Sequence, residues 1–124
     1  MNNQIISTNR KAFHDYNLLD KFECGIVLEG NEVKAIREGK LNIKESFARF
    51  KKNELFIWNM YIGQYSHLSI ANYSPTRTRK LLLNSKELDK IFIYTNQKHR
   101  TIIPIRAYFK KGKVKIEIAL VQAK

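Results

Sequence analysis

Residues 103–120 read IPIRAYFKKGKVKIEIAL and contain two runs in which apolar and polar side chains alternate. The apolar members are Ile103, Ile105, Ala107 and Phe109 in the first run and Val114, Ile116, Ile118 and Leu120 in the second. Because Lys110-Lys111-Gly112 separates the runs, the pattern predicts a β-hairpin with one apolar face and one polar, mostly basic face. Pro104 lacks a backbone N–H, which indicates an edge position or a bulge early in its strand.

The upstream sequence predicts shorter elements. Alternation over 22–28 predicts a strand, and a short helix follows, capped by Asn31 and ended by Gly39. Residues 46–50 and 54–62 predict a second hairpin, whose second strand is apolar enough to be buried on both faces. Thr76 is a candidate N-cap for one or two helical turns, and Asn84 to Glu87 resembles a capping box before a helix over 86–96.

These elements predict one mainly β domain. A chain of 124 residues is too short for two independent cores. Five or six short antiparallel strands with about three short helices favour a small β-barrel related to the OB fold over a ferredoxin-like sheet. We therefore expect a single barrel domain over residues 9–124, preceded by a disordered segment over residues 1–8.

The charge of the chain indicates a polyanionic partner. The sequence has 23 Lys and Arg against 11 Asp and Glu, a net charge of +12, and residues 75–124 carry +10 of it. Nucleic acid is the first candidate, an anionic membrane the second and an acidic protein the third. A lone Cys24 excludes an internal disulfide and suits the cytoplasm, and no apolar run is long enough for a membrane helix.

Catalytic chemistry has little support in the sequence. His14, His67 and His99 are widely spaced, and none has a neighbour at metal-ligand spacing. Cys24 lies in a predicted strand on its core-facing side, where a buried structural thiol is the usual outcome. We therefore predict that the protein is not an enzyme and has no cofactor.

Three basic clusters are candidates for contact with nucleic acid. They are Arg77, Arg79 and Lys80 beside the helix start predicted at Thr76, then Lys34, Arg37 and Lys40, and finally Asn9, Arg10 and Lys11. Arginine binds phosphate through two parallel hydrogen bonds, and a helix N-terminus adds positive charge. Each cluster taken alone is equally typical of a solvated face, but three clusters in one small domain favour a shared surface.

Three rival functions remain. A general single-strand binder of the OB type uses aromatic side chains on adjacent strands. The candidates for that role are Phe47, Phe50, Phe56 and Trp58, and we expect all four to face the core. An enzyme acting on RNA lacks its acid–base or metal residues. A membrane binder needs a more strongly amphipathic helix than residues 86–96 provide.

Five sequence blocks resemble the SsrA-binding protein family (small protein B). They are NRKA at 9–12, HDY at 14–16, ECGI at 23–26, GNEVK at 30–34 and PTRTRKLLL at 75–83. The resemblance implies a bacterial RNA-binding protein with an OB-related barrel and three helices. It also implies binding to the tRNA-like domain of transfer-messenger RNA near its elbow and D loop, and delivery of that RNA to stalled ribosomes for trans-translation. These partners imply a cytoplasmic protein, which we expect to be a monomer.

The resemblance carries roles to individual residues. Asn9, Glu23 and Leu81 fall on family positions implicated in RNA binding, while Arg77, Arg79 and Lys80 would contact or position phosphates. Lys34 and Arg37 would extend that surface. Independently of the resemblance, Tyr16 is one of the aromatic side chains with polar neighbours that are candidates for base stacking. His14 belongs to a motif that lies toward the decoding centre. The family continues into a basic tail beyond this sequence, and we expect RNA binding to persist without it whereas decoding and tagging would not.

Overall fold

The computed structural model describes residues 4–97 and 100–124, so His99 and the first three residues lie outside the described part. Its elements are β1 (Gln4–Thr8), α1 (Arg10–Asp15), β2 (Tyr16–Ile26), α2 (Gly30–Arg37), β3 (Leu41–Asn42), β4 (Phe47–Lys51), β5 (Glu54–Trp58), β6 (Tyr61–Ile62), β7 (Arg79–Leu82), α3 (Ser85–Thr95), β8 (Thr101–Lys110) and β9 (Lys113–Ala123). None of the helices in the described part is long and apolar enough to cross a membrane.

Six strands form a closed antiparallel ring. The order is β8-β4-β5-β7-β2-β9, and β9 pairs again with β8, which closes the ring. Strand β1 adds to β8 from outside the ring, and β3 and β6 form a separate two-stranded sheet. Closure removes the exposed strand edges that an open sheet would present. The predicted small β-barrel with three short helices is therefore confirmed.

The predicted hairpin at the end of the chain is confirmed as β8 and β9, but its two faces differ from the prediction. The register shifts by one residue between Pro104 and Arg106, which leaves Ile105 as a bulge. Because one extra residue reverses which side chains point inward, Ile103 and Ile105 pack under α1 while Ala107 joins the main core. The bulge predicted at Pro104 is thus present, whereas the alternation that looked continuous in the sequence is divided between two cores.

Two hydrophobic clusters fill the molecule. The main cluster lies inside the barrel and includes the fully buried Cys24, as predicted for a structural thiol. The second cluster lies between α1 and the outer side of β8 and β9, where Ala12 contacts the Ala119 and Val121 region. The predicted polar face of the last hairpin is therefore wrong at its far end, because α1 packs there.

Helix caps agree with the sequence at α3 and differ at α2. Asn84 caps α3 by accepting from the Glu87 backbone N–H at 2.8 Å, and the Glu87 side chain accepts from Asn84 in return. This is the predicted capping box. The N-cap of α2 is Glu29 rather than the predicted Asn31, because the Glu29 backbone N–H donates to the Glu32 side chain at 2.8 Å.

Three other local predictions are corrected. Residues Gln4–Thr8 form β1 against β8, where a disordered segment was predicted. Strand β4 pairs with β8 only at Ile102, so residues 106–109 of β8 have backbone groups left to pair with β1. Residues 79–82 form β7 rather than helical turns, since they pair with β5 and β2 in the ring. The run 54–62 is two strands, β5 and β6, separated by a turn at Asn59 with a φ of 62°.

Candidate nucleic-acid interface

In the basic run 77–80, Arg79 does not occupy the predicted phosphate-binding position. The Arg79 side chain is fully buried, at 0% exposure, and its Nε donates to Glu32 Oε2 at 2.7 Å. Its other donors reach the Met60 carbonyl at 2.8 Å and the Pro75 carbonyl at 3.2 Å. Because a buried guanidinium cannot reach a ligand phosphate, the prediction of a phosphate contact by Arg79 is wrong. The residue instead ties α2 to the turn after β5 and to the loop before β7.

Arg77 completes the same ion-pair cluster. Its Nε and terminal nitrogens donate to the two oxygens of Glu32 at 3.1 and 2.5 Å. Burial raises the pKa of Glu32, but the hydrogen bonds from Arg77, the Glu29 backbone and Arg79 outweigh burial and lower the pKa below its ordinary value. The bond to Glu32 raises the pKa of Arg77. Arg77 is therefore held by acidic side chains of the protein itself, Glu32 and, at 3.6 Å, Glu29, while its side chain is 32% exposed.

The residues that follow Arg79 differ in their exposure. Lys80 faces outward and pairs with Glu54, although both side chains remain partly exposed. Leu81 is 2% exposed and lies in the main core, whereas Leu82 is 47% exposed. Leu81, which the family resemblance implicates in RNA binding, is therefore closed to direct contact, whereas the neighbouring Leu82 is open to a ligand. Strand alternation would have separated the two leucines if the helix had not been predicted there.

Asn9 has a structural position. Its side-chain oxygen accepts from the Ala12 backbone N–H at 3.2 Å and caps α1, while its amide donates to the Pro104 carbonyl at 3.3 Å. The Asn9 backbone N–H donates to the Ile105 carbonyl at 2.9 Å, so the residue also satisfies the bulge in β8. Asn9 is buried and would act on RNA through the placement of α1, not through contact.

Helix α1 exposes three of the predicted residues. Arg10 and Lys11 are exposed, and the His14 side chain is 89% exposed with Nδ1 2.9 Å from Asp15 Oδ1. Tyr16 is half-buried against the second hydrophobic cluster. A contact from Arg10, Lys11 or His14 to RNA is geometrically open and stays a prediction.

The predicted cluster on α2 remains an exposed basic edge. Lys34 lies over the Tyr65 ring with Nζ 5.5 Å from its centroid, and Arg37 is exposed. Lys40 donates to the Gln64 carbonyl at 3.0 Å and pairs with Glu38 at 3.2 Å. Lys34 and Arg37 are therefore the members of this cluster that are available for phosphate.

Glu23 is held by two side chains that sequence reasoning did not group with it. The Tyr108 hydroxyl donates to Glu23 Oε2, and Lys110 Nζ lies 3.2 Å from Oε1 and 3.3 Å from Oε2. The Tyr108 bond is the main reason that the pKa of Glu23 is lowered, although burial acts against it. Burial and the Glu23 carboxylate together raise the pKa of Tyr108. Glu23 is thus paired with a basic side chain, and its two partners orient the carboxylate.

These side chains belong to one surface, which we call the outer patch. It consists of Glu23, Leu82, Tyr108, Lys110 and Lys115. Leu82 and Gly25 are in register on β7 and β2, and Glu23 lies two residues before Gly25 on the same face of β2. Lys115 is on the adjacent strand β9, and Tyr108 and Lys110, which bond to Glu23, are on β8 beyond it. The patch combines an exposed apolar side chain, an oriented carboxylate and lysines, which suits a structured RNA with both phosphates and open bases.

The chain is similar to a known protein family, to individual relatives and to a solved structure. The family model of the SmpB protein matches residues 6–124. An SsrA-binding protein from Syntrophobacter fumaroxidans is 48% identical over 121 residues, which cover 98% of this chain and 75% of the relative. One from a Sulfurihydrogenibium species is 48% identical over 124 residues, covering 100% and 82% respectively. A chain from a solved structure described as "tmRNA-SmpB: a journey to the center of the bacterial ribosome" has a TM-score of 0.76 at 43% identity, covering 94% of this chain and 82% of that chain.

Proposed function

The chain belongs to the SmpB protein family, and on this premise we propose that it binds transfer-messenger RNA and delivers it to stalled ribosomes for trans-translation. Relatives at 48% identity are named SsrA-binding proteins. The description of the similar solved structure names tmRNA, SmpB and the bacterial ribosome. The sequence-based resemblance to this family is confirmed. The proposed role is that of a cytoplasmic RNA-binding protein without catalytic chemistry of its own.

We assign the contact with the tRNA-like domain to the outer patch. The observation that supports this assignment is the position of Glu23. Tyr108 and Lys110 orient its carboxylate, and it lies two residues before Gly25, the cross-strand partner of the exposed Leu82. An anchored carboxylate accepts hydrogen bonds from base or ribose donors, and this discriminates between RNA groups. Lys110 and Lys115 offset the repulsion between that carboxylate and neighbouring phosphates.

The exposed lysines and arginines around the patch would supply affinity without specificity. Contacts to phosphate make binding depend on salt, whereas contacts to bases and hydroxyls depend on the shape of the RNA. Helices α1 and α2 present Arg10, Lys11, Lys34 and Arg37 as further candidates for phosphate contact. His14 at the end of α1 is a candidate for contact with ribosomal RNA.

A competition titration tests the proposal. Labelled tRNA-like domain of transfer-messenger RNA is bound at physiological salt and then challenged with unlabelled tRNA-like domain, unstructured RNA or duplex DNA. We expect displacement by the folded competitor at far lower concentration than by the other two. Equal displacement by all three in proportion to their charge would show a generic basic surface and overturn the proposal.

Two variants assign the contact to the patch. Leu82→Ala and Glu23→Ala are expected to weaken binding of the tRNA-like domain, while the matched surface variant Lys86→Ala on α3 leaves it unchanged. If both patch variants bind as the unmodified protein does, the contact lies elsewhere on the molecule.

A further inference from the structure

Three aromatic side chains lie on the outer surface of the barrel, where a core position had been predicted for them. Phe47 on β4 pairs directly with Trp58 on β5, and Phe56 lies two residues before Trp58 in β5. Paired residues on antiparallel strands share a face of the sheet. The intervening Ala48 and Ile57 are buried in the main core, so the aromatic set points outward.

The packing of the side chains agrees with this register. Phe47, Phe56 and Trp58 belong to neither hydrophobic cluster, and each is half-buried. Phe50, the fourth aromatic residue of the hairpin, does pack against the main core. The core-facing prediction is therefore right for Phe50 and wrong for the other three. We call the outward set, together with Arg49, the aromatic strip.

Positive charge surrounds the aromatic strip. The Arg49 guanidinium lies over the Phe47 ring, 5.1 Å from its centroid, and Arg49 is also the cross-strand partner of Phe56. Lys80 on β7 is the partner of Phe56 on its other side. Lys51 and Lys52 extend exposed from the turn that joins the two strands. Acidic side chains lie at the margins of the strip: Glu54 is paired with Lys80, and Asp15 and Glu45 line a cavity together with Phe47 and Arg49.

The aromatic strip is continuous with the outer patch but separate from it. Strand β7 joins the two, because Lys80 borders the strip and Leu82, two residues later, borders the patch. Adjacent strands are about 4.8 Å apart, so the distance from the Phe56 strand to the Leu82 strand is that of one step in the sheet. A ligand that follows the outer face of the ring can contact both.

We propose that the aromatic strip binds a short unpaired RNA segment, whose bases stack on Phe47, Phe56 and Trp58 while Arg49, Lys51 and Lys80 contact its phosphates. Flat aromatic faces on neighbouring strands beside cations are the combination that single-stranded nucleic acid requires. An apolar protein partner would not be matched by the surrounding lysine and arginine. The strip goes beyond the proposed contact with a folded tRNA-like domain, because that contact is assigned to a different surface.

Trp58 provides a direct readout, since it is the one tryptophan in the sequence. Its indole Nε1 is buried and has no hydrogen-bond partner among residues 4–97 and 100–124. An RNA of about 12 nucleotides containing only A and C cannot pair with itself and is long enough to span a site of this kind. We expect this RNA to quench the Trp58 fluorescence in a saturable titration, and a duplex RNA of equal charge to leave it nearly unchanged.

Variants distinguish stacking from general charge. Phe56→Ala is expected to weaken binding of the A/C RNA at least about fivefold, the lower limit for loss of one base stack. Arg49→Glu is expected to weaken it as well, because it replaces a phosphate contact with a charge that repels phosphate. Phe56→Tyr retains a stacking face and is expected to bind as the unmodified protein does. Tyr61→Ala removes an aromatic side chain on β6 that lies outside the strip and is 46% exposed, and it is the control for loss of a surface aromatic residue.

Each outcome decides the proposal. Absence of quenching by the A/C RNA, equal quenching by the duplex, or unchanged affinity in Arg49→Glu overturns it. Arg49 is exposed, so its substitution gives an answer even if Phe56→Ala fails to fold. Binding of the tRNA-like domain by the same variants is measured in parallel. Loss of that binding in Leu82→Ala alone, with quenching by the A/C RNA retained, would separate the two sites.

Discussion

The buried ion pair between Glu32 and Arg79 allows the sharpest prediction from this structure. Glu32→Gln keeps the size of the side chain and removes its charge. The Arg79 guanidinium then stays fully buried, with two backbone carbonyl oxygens as partners and without the carboxylate that balances its charge. Loss of one partner from a buried pair costs about 3–5 kcal/mol, because the remaining charge is left uncompensated. Since single domains are stable by about 5–15 kcal/mol, Glu32→Gln removes a large part of the free energy of unfolding.

The assay is equilibrium unfolding in urea at neutral pH, followed by circular dichroism. The matched control is Glu54→Gln, which makes the same chemical change in a pair with Lys80 whose side chains are 48% and 41% exposed. An exposed pair contributes about 0–1 kcal/mol, so the control should unfold close to the unmodified protein. If Glu32→Gln and Glu54→Gln have the same midpoint, the assignment of Arg79 as a buried structural charge is refuted.

The pH dependence adds an independent check on the same pair. The pKa of Glu32 is lower in the folded protein than its ordinary value, so the unfolded state takes up its proton first as the pH falls. The stabilisation by this carboxylate is fully present above its ordinary pKa and is lost as pH falls through the lowered value. The gap in stability between the unmodified protein and Glu32→Gln should therefore be constant near neutrality and close under acidic conditions.

Three further predictions concern single side chains. Leu81→Ala should lower the free energy of unfolding by about 2–5 kcal/mol, because it opens a cavity in the core, while Leu82→Ala should leave the urea midpoint nearly unchanged. Equal losses in the two leucine variants would contradict the register of β7. Asn9→Ala should cost about 0.5–2 kcal/mol of stability through loss of the α1 cap, measured by the same unfolding curves, and an unchanged midpoint would rule out the cap. Tyr108→Phe should raise the pKa of Glu23 toward its ordinary range, measured by an NMR titration of the Glu23 carboxyl, and an unmoved pKa would show that another group holds it.

Local sequence pattern was sufficient where neighbours along the chain supply the partners. The capping box of Asn84 and Glu87 defines the start of α3 within four residues of sequence, and the hairpin of β8 and β9 needs only a short turn. Such elements depend on periodicity and on side chains that satisfy nearby backbone groups. The sequence motifs also predicted the family, which the comparisons confirmed.

Tertiary structure alone decided which charged and apolar side chains face a ligand. Arg79 follows Arg77 in a run whose sequence predicts a phosphate site. In the folded protein Arg79 is buried, because it bonds to the carboxylate of Glu32, 47 positions earlier in the chain. The same strand buries Leu81 and exposes Leu82, because closure of the ring sets its register.

Strand pairing decides both the bulge at Ile105 and the outward position of Phe56. A shift of one residue moves every following side chain to the opposite face, and one chain sequence read without its strand partners does not define that shift. Sequence therefore determined the barrel class, the cap of α3 and the family. The pairing of distant strands determined which residues form the outer patch, the aromatic strip and the buried ion pair.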